Sequence, residues 1–157
     1  MSKTFLIAAI LLFASPALAQ EPLAKAFVEA VRANNPALLK QWWPTQALVR
    51  ELEPTRTKGL SVAAIKQKFL VPLQKKLEKD FANFQASAQQ NSLDVSRLRY
   101  EGFQLQRNDT TNKPMACTIH YSYGDKQSSF TITVWEKRKK WILFEVLLSV
   151  NVFDKLK

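Results

Sequence analysis

The stretch Met115 to Tyr123, MACTIHYSY, holds the only cysteine and the only histidine of the 157-residue chain. A thiol and an imidazole together have the composition of a nucleophile and its general base, which must come within about 3 Å of each other. Cys117 and His120 are three residues apart. Side chains on a strand alternate faces, so an odd separation sends them to opposite sides. At about 3.3 Å per residue their Cα atoms lie about 10 Å apart. Met115, Cys117, Ile119, Tyr121 and Tyr123 then share one apolar and aromatic face, and Ala116, Thr118, His120 and Ser122 share the other. The expectation is a buried thiol and a solvent-side imidazole, not a catalytic dyad. One histidine and one inert thiol also leave too few ligands for zinc, and no metal or other cofactor is expected. The chain has no Gly-rich phosphate loop, no nucleophile-elbow serine and no paired-histidine helix motif.

The elements that position these residues fall into two blocks. Pro22 suits a first helical turn, and Leu23, Ala26, Phe27, Ala30 and Val31 follow the spacing of one buried helical face. Asn34 and Asn35 close that helix, Pro36 opens a short second one, and Thr45 caps a third that stops at Pro54. PTRTKG reads as a loop. From Ser61 to about Gln90 a long helix is expected, with Val62, Ile65, Phe69, Leu73, Leu77 and Phe84 on one face, Phe81 beside them, and a kink at Pro72. Lysines 66, 68, 75, 76 and 79 lie mostly off that stripe, as a solvated face or a docking surface.

After Leu93 the period changes to two. Four β-rich runs follow, RLRYEGFQLQ, MACTIHYSY, SSFTITVWE and WILFEVLLSVNVF, joined by linkers short enough for hairpins. Gly102 marks a bulge, because the alternation of Leu98 and Tyr100 shifts by one to Phe103 and Leu105. The expected fold is α+β, with N-terminal helices packed on one face of a curved four-stranded antiparallel meander. In this order of elements, from AKAFVEAVRANNPALLKQWW through the long helix to KKWILFEVLL, the chain resembles the nuclear transport factor 2-like superfamily. That superfamily is a cystatin-like, cone-shaped α+β roll shared with ketosteroid isomerase. The resemblance covers most of the chain after residue 19. Members include enzymes, ligand binders and interaction modules, so it bears on fold more than on function. One departure is that no clear short strand lies between the early helices and the long one, TKGLSV being the only candidate.

Chemistry of the ketosteroid-isomerase type needs a carboxylate base in a pocket and a tyrosine or protonated acid to hold the developing oxyanion. Asp80, on the flank of the long helix, and Glu145, within LFEVLL, are the carboxylates in apolar surroundings; Tyr100, Tyr121 and Tyr123 are the possible donors. Lys76 precedes Asp80 by four residues, which makes a surface ion pair the simpler reading. On the last strand Ile142, Phe144, Val146 and Leu148 are expected to face the helices. Trp141, Leu143, Glu145 and Leu147 then face outward and, with Trp135, form an apolar patch. A second subunit or another protein would cover that patch; the chain's own segments are the competing cover. Lys137, Arg138, Lys139 and Lys140 form a basic hairpin tip between Trp135 and Trp141, suited to anions or, more simply, to discouraging edge pairing. Of the adjacent Trp42 and Trp43, one should pack in the core and the other line a pocket mouth.

Residues 1–19 have a lysine, an apolar run from Phe5 to Ala14 and the small-residue ending Ala17-Leu18-Ala19. This is the pattern of a secretory signal peptide, and the run is about half the length of a spanning helix. Cleavage before Gln20 is expected to leave one domain, residues 20–157, exported to a bacterial periplasm, with glutamine and not cysteine directly after the cleavage site and so no lipoprotein anchor. Of the formal charge of +10, the leader carries +1. Such a balance suits anionic partners, and export argues against nucleic acid. The expectation is therefore a non-enzymatic exported binding protein with no transmembrane span. It would recognise an envelope protein through the apolar sheet face and the basic hairpin, as an immunity factor against a secreted toxin would, with a possible homodimer through the same face. The candidate partner-binding residues are Trp43, Tyr121, Tyr123, Trp135, Lys137, Arg138, Lys139, Lys140 and Trp141. The alternatives are a carrier or sensor of an amphipathic or anionic small molecule or lipid in a cone-shaped cavity, and a small acid–base enzyme of the ketosteroid-isomerase type.

Overall fold

Helix α1 (Glu21–Arg32) buries Leu23, Phe27, Ala30 and Val31 of the expected stripe and adds Ala24 and Val28, while Ala26 is only half-buried. The computed structural model describes residues 21–106, 114–137, 140–147, 153 and 156; the leader 1–19, Arg138, Lys139 and Leu148 lie outside these. Glu21 in the first turn and Arg32 in the last complement the helix dipole. Asn34 ends the helix at φ 46°, a left-handed conformation that asparagine tolerates. Asn35 Oδ1 accepts the Ala37 N–H at 3.1 Å and starts the 3₁₀ turn Pro36–Trp42. Thr45 Oγ1 accepts the Leu48 N–H at 3.3 Å and caps α2 (Gln46–Leu52).

One short helix stands where the sequence suggested a loop, and another opens the long helix expected from Ser61. Pro54–Thr57 forms a single turn, α3, with the Thr57 hydroxyl donating to the Glu53 carbonyl at 2.7 Å. TKGLSV is not a strand. Gly59 turns the chain at φ 73°, and Ser61 Oγ accepts the Ala64 N–H at 3.1 Å to cap α4 (Val62–Ile65).

The long helical segment continues without a break, but its middle is wider than an α-helix. Lys66–Leu70 forms a π turn, in which the Val71 N–H donates to the Lys66 carbonyl five residues back, and α5 (Val71–Gln90) follows. In an α-helix the Pro72 ring would clash with the carbonyl of residue 68. The wider turn lies over that position, so the proline sits in the first turn of α5, where its missing N–H is tolerated. Ile65, Leu77, Phe81 and Phe84 of the expected stripe are buried, whereas Val62 is 56% exposed.

Four strands follow, β1 (Arg99–Gln106), β2 (Met115–Tyr123), β3 (Lys126–Lys137) and β4 (Lys140–Leu147), in one antiparallel sheet of order β1-β2-β3-β4. The fold is α+β, helices first and a meander after. The expected bulge is present: the β1–β2 register shifts between Tyr100 and Gly102, and Gly102 takes φ 151°. A second bulge was not foreseen. Val134 pairs with Leu143 and Thr133 with Glu145, so Phe144 is an extra residue on β4.

That second bulge corrects the face assignment of the last strand. Trp141, Leu143 and Val146 join the main core beside Val134 and Ile132, while Ile142 belongs to a separate cluster with Trp135 and Leu48. The strand therefore points Trp141 and Leu143 inward, opposite to expectation, and the extra residue restores Val146 to the same side. The main core is aromatic at its centre. Tyr121 stacks on Phe130 at 4.2 Å between ring centroids, and Phe27 and Phe84 meet Phe130 edge-on at 5.6 and 5.0 Å. On the reverse face Leu48 and Leu52 of α2 cover Trp135, Ile142 and Phe144. The helices thus do not all lie on one face of the sheet.

Candidate functional site

Strand β2 separates the two residues that would have formed a dyad. Cys117 is buried, lying between Leu105 of β1 and Ile132 of β3 in the sheet register. Burial pushes its thiol up to about 11. His120 is exposed, on the face that also carries Ser129 opposite it. A nucleophilic cysteine needs a lowered pKa and an adjacent cation; Cys117 sits in the opposite environment.

The two carboxylates do come together, through a lysine. Lys76 Nζ lies 3.2 Å from Asp80 Oδ2 on the next turn of α5 and 3.2 Å from Glu145 Oε1 on β4. Asp80 and Lys76 meet because residues four apart share a helix face; Glu145 reaches them because the bulge at Phe144 lies directly before it. Burial opposes the charge on Lys76, but the hydrogen bonds to Glu145 and Asp80 outweigh it, and its pKa is raised. Trp43, Leu73, Leu77, Leu143, Phe144 and Val146 complete the lining of this cleft, which has an accessible volume of about 10 Å³, room for about one water. Trp43 Nε1 is buried there without a hydrogen-bond partner among the described residues. No tyrosine lines the cleft. Among the described residues both carboxylates are engaged by Lys76, and the three tyrosines considered as oxyanion donors lie outside their cleft.

The tyrosines lie elsewhere. Tyr121 is fully buried, hydrogen-bonded to Ser128, and burial pushes its hydroxyl up to about 12. Tyr123 is half-buried beneath the Arg97 guanidinium at 5.1 Å, and its hydroxyl accepts the Asp94 N–H at 3.4 Å.

Trp135, Trp141 and Leu143 of the expected apolar patch are internal, and the side chain of Leu147 lies outside those described. Trp135 and Trp141 are only 4% and 5% exposed. Trp135 lies under α2 and Trp141 in the main core, so the chain's own segments are the cover and neither tryptophan offers a docking surface. Both indole N–H groups lack partners among the described residues. At the hairpin base Lys137 lies over the Trp135 ring at 5.1 Å and pairs with Glu51 of α2 at 2.6 Å, while Lys140 is exposed. Of the adjacent tryptophans, both Trp42 and Trp43 are half-buried against the core, and Trp43 alone lines the cleft.

A second charge imbalance lies on the helices. Between Arg56 and Lys79 there are seven cations and one carboxylate, Glu78. Arg56 pairs with Glu53 at 3.5 Å and covers the Phe69 ring at 5.2 Å. Lys58, Lys66, Lys68, Lys75 and Lys79 are exposed, and none makes an ion pair among the described residues. Half-buried Phe69, Leu70, Val71 and Leu73 and exposed Val62 lie in the same segment. The lysines were visible in the sequence; the exposure of Val62, Phe69 and Leu73 among them was not, because their spacing assigned those three to the core.

Among the described residues no group of three or more His, Cys, Asp or Glu side chains is placed to hold a metal ion, and no helix is long and apolar enough to cross a membrane. The chain matches no protein-family model, no curated protein and no solved structure.

Proposed function

We propose that this chain is a non-enzymatic binding protein, exported to the periplasm, that docks an acidic protein of the cell envelope on the basic helical segment from Arg56 to Lys79. The observation that carries the proposal is the concentration there of exposed lysines without carboxylate partners, set among half-buried apolar residues. Such a surface offers an acidic partner long-range attraction and some apolar contact. The roll is taken to be of the nuclear transport factor 2-like kind. The space between its sheet and helices holds the Tyr121–Phe130–Phe27–Phe84 cluster, which favours a surface partner over an enclosed ligand.

Crosslinking in cells, followed by osmotic-shock fractionation, tests this. The wild-type chain should be found in the periplasmic fraction joined to an acidic protein. A variant with Lys66, Lys68, Lys75 and Lys79 all changed to Gln should lose the adduct while keeping its far-UV circular dichroism. An adduct that survives those changes and raised salt refutes the proposal.

A further inference from the structure

At the end of the sheet remote from the basic hairpin, four parts of the chain meet: the last turn of α1, the 3₁₀ turn Val95–Arg97, the first residue of β1 and the β2–β3 turn. They bound a groove of about 290 Å³ lined by Arg32, Ser96, Arg97, Leu98, Arg99 and Gly124. Three guanidiniums in one groove is a high local density of positive charge.

Two of these arginines are held in place. Arg32 Nε donates to the Ser96 carbonyl at 2.9 Å, and Nη1 is 2.6 Å from Glu29 Oε1. Arg97 rests on the Tyr123 ring at 5.1 Å, a contact that fixes the plane of the guanidinium without engaging any of its N–H groups. Arg99 is exposed and makes no hydrogen bond or ion pair among the described residues. Two carboxylates lie nearby: Glu29 pairs with Arg32 itself, and Asp94, whose charge also acts on Arg97, accepts from the Ser96 N–H and hydroxyl at 3.0 and 2.6 Å. Most of the guanidinium donors therefore remain available to a ligand.

We infer that the groove formed by Arg32, Arg97 and Arg99 binds a phosphoryl group. A carboxylate presents two oxygens in one plane and suits a single guanidinium fork. A phosphate ester presents its non-bridging oxygens tetrahedrally, so guanidiniums arriving from separate elements can each engage one. The groove lies at the lower end of the size range of small-molecule sites, about 300 Å³, with room for a headgroup or a small phosphorylated compound. This site is separate from the Arg56–Lys79 segment and stands or falls independently of it.

Titration calorimetry of the mature chain with inorganic phosphate, pyrophosphate and glycerol phosphate, with acetate as the carboxylate control, tests the assignment. Saturable binding of the phosphates is expected. Arg97→Gln and Arg99→Gln should each weaken it about tenfold or more, the worth of a charge-assisted hydrogen bond. Arg99→Gln removes no packed side chain, so it keeps the test clear of folding defects. Flotation with phosphatidylglycerol vesicles, against phosphatidylcholine, separates the sources. Flotation abolished by Arg99→Gln assigns a lipid headgroup; phosphate binding with flotation that Arg99→Gln leaves unchanged assigns a soluble phosphorylated compound. The inference is overturned if no phosphate binds at about 10 mM, a concentration that detects even a binding free energy of only about −3 kcal/mol. It is equally overturned if acetate binds as well as phosphate, or if both variants bind phosphate like the wild type.

Discussion

Replacing Cys117 by Ala should invert the order of stability between variant and wild type as the pH is raised. At pH 7 the thiol is neutral in both folded and unfolded chains. The substitution then removes one buried heavy atom, a loss of roughly 1 kcal/mol. The ordinary thiol value is 9.0, and burial in the fold raises it to about 11. Between those values the unfolded chain releases its proton while the folded chain retains it, so the unfolded state binds fewer protons and wild-type stability falls with pH. The stability conferred by the neutral buried thiol is complete below pH 9 and is lost as the pH rises towards 11. The linked loss is about 1.4 kcal/mol at pH 10 and about 2.3 kcal/mol at pH 11. Tyr121, whose hydroxyl is also raised, titrates in both proteins and cancels in the difference. Urea unfolding of the two chains from pH 7 to pH 11, with reductant present and tryptophan fluorescence as the signal, should show the two stabilities crossing near pH 10. A thiolate paired with an imidazolium would have a lowered pKa, and its contribution would be lost in the acid direction instead. Parallel stability profiles between pH 8 and 11 would refute the burial argument.

Two further perturbations probe the packing. Leu48→Ala should cost about 2–3 kcal/mol, the lower part of the range for a core leucine, because its cluster with Trp135 and Ile142 is peripheral. It should also give concentration-dependent sedimentation as the reverse face of the sheet opens; a monomer of unchanged stability would show that α2 is not the cover. Lys76→Met should lower stability by about 1 kcal/mol, since exposed pairs are individually worth little but the change leaves Asp80 and Glu145 without the lysine they share. Adding Asp80→Asn to that variant should recover part of the loss in urea unfolding, and no recovery would mean that the three side chains are not coupled.

What was legible in the sequence was whatever depends on period and on local hydrogen bonds. The alternation through MACTIHYSY placed Cys117 and Tyr121 on the buried side and His120 on the exposed one. Thr45 capped the helix it was expected to cap, and Gly102 marked its bulge. Where a side chain's surroundings come from a distant segment, the pattern carried no such information. The two-sided apolar character of β4 showed that both faces needed cover, and the cover itself proved to be α2. The arginine groove joins Arg32 to Arg97 and Arg99 across more than sixty residues. The only local sign of it is the alternation of Arg97 and Arg99 around buried Leu98.

The sequence by itself determined the order of helices and strands, the placement of the lone thiol and imidazole on different sides of the sheet, and the excess of positive charge. These follow from side-chain direction along a regular backbone and from composition, and neither needs a partner segment. Only the tertiary structure decided which face of the last strand is inner. One extra residue at Phe144 reverses the alternation, and pairing with β3 sets where that residue sits. The structure also decided that Lys76 draws in Glu145 as well as Asp80, and that three arginines from two segments share one groove. Such convergence depends on how packed elements are placed in space, which no local run of residues specifies.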